Sequence, residues 1–258
     1  MPITDRLIGV SGRETRPRSR RTGRRPVVAH SPNMLLDSLA AKTFAAIEPH
    51  LKTVELVHGE VLSEAGNQVT RAYFPHSGVI SLVVELSIGD MIETAMIGRD
   101  GVLNASSALD GKISLNKAIV QLAGAASTIE VDRLRKIARE FDAFRSLLIR
   151  HEQVQFAQAQ QSAACNASHS VEARMCRWLL QMRDFASSDD LVLTQEFLAQ
   201  MLGVRRPSVS LVANTLQKAG LIKYRRGNIR LLDIEGLKQG SCECYGVVKA
   251  HYQRMLAG

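Results

Sequence analysis

The hydrophobic pattern of the sequence changes near residue 131, and this change limits the possible folds most strongly. From Val54 to Glu130 the chain consists of short β-rich runs such as "VELVHGEVL" and "MIETAMIG", separated by glycines. Short runs with turn residues between them predict an antiparallel sandwich or roll. After Asp132 the period becomes helical, and "FDAFRSLLIRHEQVQFAQAQQSAACNASHS" contains no Gly or Pro. A helix of about 35 Å is expected there.

These patterns predict an α+β chain with five parts. Residues 34–140 form a β-roll that begins with a helix at 34–50, and residues 141–170 form the long helix. Residues 171–240 form a second domain, described below, and "SCECYGVVKAHYQRML" within 241–258 predicts a C-terminal amphipathic helix. Residues 1–33 are the fifth part, a basic tail.

The tail accounts for most of the net charge. It has eight Arg against one Asp and one Glu, so it supplies +6 of the total +8. A segment this polar and this charged is expected to be disordered and to attract nucleic acid non-specifically. Alternatively, Met34 is the true start of the protein. No apolar run reaches the length of a membrane span or a signal peptide, so we expect a cytoplasmic protein.

One stripe of the long helix indicates a subunit interface. Its members recur at about 3.5-residue spacing, which is typical of a parallel helix pair; they are Leu147, Val154, Gln158, Gln161 and Cys165. The alternative is an ordinary helix that packs on its own β-domain.

The segment from Thr194 to Leu231 has the local signals of a winged helix-turn-helix. Thr194 is a good N-cap, Gly203 ends the first helix, and a second helix begins around Arg205–Pro207, where proline is tolerated. Val209, Val212 and Leu216 form its inward stripe. The following "GLIKYRRGNIRLL" predicts two strands joined by residues 225–228, which is a wing.

Residues 202–232 contain seven Lys or Arg and no Asp or Glu. A polar, cationic face on the second helix of such a motif predicts contact with the DNA major groove, and a cationic wing predicts contact with phosphates. The alternatives are a solvated basic face and a module that binds only proteins. The candidate DNA-binding residues are Thr194, Arg205, Arg206, Ser208, Ser210, Leu211, Asn214, Lys218, Arg225, Arg226 and Asn228.

Residues 35–236, which contain these motifs, resemble the Crp/Fnr family of bacterial transcription regulators. The resemblance rests on "YFPHSGVISLVVE", on the long helix and on "LTQEFLAQMLGVRRPSVSLVANTLQKAGLI". It implies a cyclic-nucleotide-binding-like β-roll, a homodimer, palindromic promoter DNA as target and RNA polymerase as a partner. It also implies a ligand or redox signal that acts on the roll.

The phosphate-binding segment of the cyclic-nucleotide receptors has no full equivalent in this chain. Where those receptors have a Glu and an Arg-Ser or Arg-Thr pair, "IGRDGVLNASSALDGKISLNKAIVQ" has Arg99 or Asp100, and Asn116 with Lys117. A bidentate guanidinium grip on phosphate is therefore missing. These four residues are the candidate ligand-binding set, and we expect an effector other than a cyclic nucleotide. A regulator that responds to a cyclic nucleotide or another small ligand is the alternative.

The cysteines and histidines of the chain lack the spacings of known redox, metal and catalytic sites. The iron–sulfur branch of the family uses N-terminal cysteines, and no Cys precedes residue 165. Haem ligation by the isolated His58 or His76 stays open. The four cysteines lack zinc-ribbon or C-x-x-C spacing, so we expect reduced thiols, no metal and no cofactor. Cys242 and Cys244 either pack or sense oxidants. A cupin-like metal enzyme would need clustered His, including an H-x-H pair, so we expect no enzyme.

Overall fold

Seven strands between residues 52 and 130 form the two sheets of an antiparallel β-roll. The computed structural model describes residues 31–87 and 89–257. One sheet has the order β1-β7-β3, and the other has the order β2-β6-β4-β5. The strands are β1 (Lys52–Leu56), β2 (Val61–Ser63), β3 (Arg71–Pro75), β4 (Val79–Glu85), β5 (Met91–Ile97), β6 (Lys117–Leu122) and β7 (Gly124–Glu130). The predicted roll and its antiparallel pairing are confirmed.

The core of the roll lies between the two sheets. Leu56, Ile80, Ile97 and Val120 are fully buried there, and the burial of their apolar side chains stabilises the roll. A second cluster, which includes Phe74, attaches the roll to the flanking helices. The predicted helix at 34–50 is divided in two, because Ser38 ends the first segment: its hydroxyl donates to the Leu35 carbonyl. The segments are α1 (Met34–Asp37) and α2 (Ala41–Ile47).

The folded part of the chain begins before Met34. Asn33, which the sequence placed in the basic tail, is fully buried. Its amide nitrogen donates to the carbonyls of Pro75 and Gly101 at 2.9 and 3.0 Å, and its side-chain oxygen accepts from the Leu36 N–H. Asn33 thus caps α1 and anchors it to the roll, so it belongs to the folded domain. Residues 1–30 of the predicted tail lie outside the described residues.

The long helix packs along its own chain on one side. After α3 (Val131–Glu140), α4 runs over Asp142–Ser168. Leu147, Gln158 and Cys165 are buried within the chain, and His151 Nε2 accepts from the Val102 N–H. The predicted interface stripe was therefore wrong: three of its members face the protein's own roll or C-terminal helix. Burial lowers the pKa of His151 to about 3, so its ring is neutral.

The C-terminal domain consists of four helices and a three-stranded sheet of order β8-β10-β9. Trp178, Leu198, Val209 and Leu216 lie in its core. The helices are α5 (Val171–Ala186), α6 (Gln195–Leu202), α7 (Arg206–Lys218) and α8 (Ile234–Gly240), and the strands are β8 (Asp190–Val192), β9 (Ile222–Arg225) and β10 (Asn228–Leu231). The sequence did not predict β8, since three residues carry too little pattern to distinguish a strand from a loop.

A final helix, α9 (Cys244–Ala257), returns along the chain and packs against α4. The Tyr252 hydroxyl lies 3.0 Å from the side-chain amide of Gln158 on α4. No helix among the described residues is both long enough and apolar enough to span a bilayer.

Candidate DNA-binding interface

The two helices of the predicted motif are held by their capping residues. The Thr194 hydroxyl accepts from the Phe197 N–H at 3.2 Å and so caps α6. Gly203 ends α6 in the left-handed region, with φ of 59°, where a residue without a side chain avoids strain. Arg205 is the N-cap residue of α7 and Arg206 its first helical residue. The predicted helix-turn-helix geometry is confirmed.

Helix α7 has a buried face and an exposed polar face. Val209, Ala213 and Leu216 are buried against the rest of the domain, whereas Val212, predicted to point inward, is only half-buried. On the opposite face Leu211 is 69% exposed. The other exposed or half-buried candidates on this helix are Arg206, Ser208, Ser210, Asn214 and Lys218.

The wing is a tight hairpin. Arg225 pairs with Asn228 across the β9–β10 ladder, so only Arg226 and Gly227 form the loop. Both have positive φ, 47° and 79°, as a two-residue type I′ turn requires. The Leu193 N–H donates to the Gly227 carbonyl at 2.7 Å, which attaches the turn to the start of α6. The four-residue tip predicted from the sequence is thus two residues shorter, and the turn is held at the start of α6.

The cations on this surface are available for a ligand. Arg206 faces Glu196 at 3.8 Å, with both side chains about two-thirds exposed, and such a pair contributes at most about 1 kcal/mol. Within the described part of the chain, no salt bridge involves Arg205, Lys218, Arg225 or Arg226. A phosphate or base edge can therefore contact these groups without breaking a strong ion pair.

The Ser210 hydroxyl is already oriented by the protein. It donates to Gln195 Oε1 at 2.6 Å and lies 3.2 Å from the Arg206 carbonyl. Gln195 is the first residue of α6, so this bond joins the two helices of the motif. A base contact by Ser210 requires the hydroxyl to exchange its partner or to act as an acceptor.

The four candidate ligand-binding residues do not form one site. Arg99 and Asp100 line a cavity of about 260 Å³ together with residues of α5 and α9. Burial raises the pKa of Asp100 to about 7. Asn116 lines a different cavity. Lys117 Nζ is engaged by Glu85 at 2.9 Å and by Glu64 at 3.4 Å, so its charge is already balanced by carboxylates.

The two isolated histidines of the roll each have a hydrogen-bond partner. His58 Nδ1 lies 2.9 Å from the Gln121 carbonyl, and His76 Nε2 lies 2.8 Å from the Ser127 hydroxyl. In contrast, the structure brings together three cysteines and a histidine that the sequence did not associate: Cys165, His169, Cys242 and Cys244. Cys165 and His169 are one helical turn apart, and that spacing was the signal in the sequence that could have revealed half of this cluster.

Comparison with known proteins agrees with this geometry. Residues 173–239 match the Crp-like helix-turn-helix domain family. A search of curated proteins found no match. The FixK2 protein of Bradyrhizobium japonicum has a similar solved structure, with 16% identity and a TM-score of 0.65 over 74% of this chain and 98% of that one.

Two further solved structures show the same fold. The c-di-GMP-responsive global regulator CLP of Xanthomonas campestris has 17% identity and a TM-score of 0.61 over 75% of this chain and all of that one. A Crp/Fnr family transcriptional regulator of Thermus thermophilus has 22% identity and a TM-score of 0.59 over 73% and 97%. Residues 173–239 therefore resemble the Crp-like helix-turn-helix domain, and they are joined to a β-roll and a long helix in a fold similar to that of the solved Crp/Fnr regulator.

Proposed function

We propose that this protein is a transcription regulator that binds palindromic promoter DNA as a homodimer and acts with RNA polymerase in the cytoplasm. It is a binding protein in this proposal and not an enzyme. The observation that carries the proposal is the exposed polar face of α7, with Arg205 and Arg206 at its start, together with the exposed wing cations Arg225 and Arg226. Strand β9 of the wing contacts α7. An exposed recognition helix with a cationic wing fits a major groove and its flanking phosphates.

Within this interface the residues have different proposed tasks. Arg206, at the start of α7, reaches the O6 and N7 atoms of a guanine together. Asn214 contacts a neighbouring base edge or phosphate, and Leu211 contacts a thymine methyl. Arg225 and Arg226 lie at the hairpin turn and neutralise phosphates, which supplies affinity without sequence information. The remaining candidates, Thr194, Arg205, Ser208, Ser210, Lys218 and Asn228, orient the helix on the backbone.

Two matched substitutions test this division. A preferred site is first obtained by selecting bound sequences from a random DNA pool. Arg206→Ala should cost about 1–3 kcal/mol on that site and relax the choice at one base pair per half-site. Arg225→Ala should weaken binding to all sequences about equally and reduce the slope of log affinity against log salt by about 0.9. If Arg225→Ala changed base preference while Arg206→Ala lowered affinity uniformly, the assignment would be reversed.

The proposed homodimer rests on the exposed side of α4. Its exposed residues recur with alternating spacings of four and three, as in the seam of a parallel helix pair. The large apolar members are Ile149, 40% exposed, and Phe156, 66% exposed. The stripe consists of Ile149, Gln153, Phe156, Gln160, Ala163 and Ala167. It replaces the stripe predicted from the sequence and lies on another side of the helix.

Light scattering tests the dimer. Phe156→Glu places a charge in the seam and should convert the protein to a monomer at micromolar concentration. Leu115→Glu is the matched control, because Leu115 is 81% exposed but lies in the roll, and it should leave the dimer intact. The two DNA half-sites that the dimer binds should be centred about 34–36 Å apart. A wild-type monomer that retained tight, specific binding would contradict this part of the proposal.

The effector is proposed to be something other than a cyclic nucleotide. Lys117 is engaged by two carboxylates, and Arg99 and Asp100 line another cavity. Cyclic AMP or cyclic GMP at millimolar concentration should therefore produce no thermal shift. A ligand at 100 times its dissociation constant adds about 2.7 kcal/mol of stability, so binding would be easily seen.

A further inference from the structure

Four side chains that can bind a metal converge at the junction between the long helix and the C-terminal domain. Cys165 lies in the last turn of α4, and His169 is the residue that caps its C-terminus. Cys242 precedes α9, and Cys244 is its first residue. The three cysteines are buried and the histidine is half-buried. Their sulfur and nitrogen ligand atoms all lie within 4.8 Å of one another.

Two distances inside this cluster are close to those around a single tetrahedral zinc ion. With Zn–S bonds of about 2.3 Å and a Zn–N bond of about 2.0 Å, tetrahedral geometry puts two sulfurs about 3.8 Å apart and sulfur and nitrogen about 3.5 Å apart. Cys165 Sγ and Cys242 Sγ are 3.5 Å apart, and Cys244 Sγ lies 3.7 Å from His169 Nδ1. The four ligand atoms, all within 4.8 Å of one another, therefore need only small side-chain shifts to converge on one ion.

Polar and charged groups around the cluster hydrogen-bond to the four side chains or offset their charge, as groups next to metal ligands do. His169 Nε2 lies 3.2 Å from Glu243 Oε1, so Nε2 carries the proton and donates to the carboxylate, which leaves Nδ1 free for a metal. Gln161 Nε2 donates to Cys244 Sγ at 3.0 Å. The guanidinium groups of Arg174 and Arg177 interact electrostatically with Cys165. Their positive charges offset the net charge of −1 that three thiolates and one Zn²⁺ would have.

We propose that Cys165, His169, Cys242 and Cys244 bind one zinc ion as a closed structural site. Binding releases the three thiol protons to solvent and involves no oxidation or reduction. Four protein ligands leave no position for water, so the ion has no catalytic role. A two-iron cluster fits less well, because two metals side by side need their ligand pairs to be further apart than this compact set.

The site joins parts of the chain that meet only in the tertiary structure. Cys165 and His169 belong to the end of α4, and Ser170 caps α5 directly afterwards. Cys242 and Cys244 fix the start of α9, which packs on α4. A zinc ion here would hold the link between the long helix and the helix-turn-helix domain. This inference stands independently of the proposed DNA binding.

Metal analysis of the purified full-length protein tests the proposal. After growth with added zinc, elemental analysis should find about one zinc per chain, and replacement by Co²⁺ should give the intense visible bands of thiolate-bound tetrahedral cobalt. Cys242→Ser and Cys244→Ser should lower zinc to well below one per chain in the presence of a competing chelator. Cys176→Ala is the matched control, because Cys176 is buried in α5 outside the cluster, and it should keep the metal.

A substitution outside the four proposed ligands keeps the test decisive if the ligand variants fail to fold. Glu243→Gln leaves all four ligands in place and should weaken zinc binding about 10-fold to 100-fold in a chelator competition. Removal of the metal from the wild type should lower Tm by about 5–10 °C. Purified protein that contained no zinc and gave no visible absorption bands with Co²⁺ would overturn the proposal. An iron chromophore, or a mass two units lower from a Cys165–Cys242 disulfide, would overturn it as well.

Discussion

A buried carboxyl group joins the β-roll to the C-terminal domain, and its protonation should control stability. Glu93 lies in β5 and is buried. Its Oε1 accepts from Trp178 Nε1 of α5 at 2.8 Å, and its Oε2 accepts from the Ser81 hydroxyl. Burial raises the pKa of Glu93 to about 7, although both hydrogen bonds and the Arg177 charge act in the opposite direction.

The substitution Glu93→Gln isolates the effect of this charge. The glutamine oxygen accepts from Trp178, and its NH₂ group donates to the Ser81 oxygen, so both hydrogen bonds persist. Because the pKa of Glu93 is raised from 4.5 to about 7 on folding, the folded wild type retains a proton that the unfolded chain loses. Its stability is therefore full below about pH 4.5 and decreases as pH rises through 7. The loss amounts to about 1 kcal/mol at pH 5 and about 3 kcal/mol at pH 8.

Urea unfolding of both proteins at about pH 5 and pH 8 measures this difference. The difference in free energy of unfolding between Glu93→Gln and the wild type should be about 2 kcal/mol more favourable to the variant at pH 8 than at pH 5. Contributions from His151 and Asp100 are common to both proteins and cancel in the comparison. Glu55→Gln, on the exposed surface of β1, is the control and should show no such dependence. A relative stability of Glu93→Gln that is the same at both pH values, or greater at pH 5, would show that folding does not raise the pKa of Glu93.

Three further substitutions test the folded framework by thermal or urea unfolding. Asn33→Ala removes three buried hydrogen bonds and should cost about 2–4 kcal/mol; a neutral result would place Asn33 outside the folded domain. Arg226→Gly relieves a positive φ and should add about 0.5–1 kcal/mol while it weakens DNA binding; a loss of stability would argue against the type I′ turn. Gly203→Ala places a side chain on a residue with a positive φ of 59°, and this backbone strain should cost about 1–2 kcal/mol; an unchanged midpoint would contradict the left-handed conformation of this turn.

The helix-turn-helix motif could be predicted from the sequence because the residues that mark its helix boundaries act locally. Thr194, Gly203 and Pro207 mark helix boundaries within a few residues of the atoms they affect, and all three do so in the structure. The β-roll and the long helix were predicted for the same reason: glycines interrupt the one and are absent from the other. Caps, turns and periodicity depend on neighbours in the chain, which the sequence displays directly.

The choice of buried face on α4 required the tertiary structure. Apolar and polar residues occur on more than one side of this helix, so periodicity alone did not identify the buried side. The roll and α9 cover Leu147, Gln158 and Cys165, which leaves Ile149 and Phe156 exposed. Because α9 comes from the far end of the chain, no local pattern in α4 reveals that it will be there.

Sites built from distant residues were decided by packing as well. Arg99 and Asp100 were expected beside Lys117, but the roll directs them into another cavity against α9. Glu93 and Trp178 meet only because the two domains dock. Local patterns in the sequence determined most of the helices and strands, including helix α7 of the helix-turn-helix motif. The folded chain decided which remote side chains become neighbours, since contact between distant segments depends on how all the buried faces pack together.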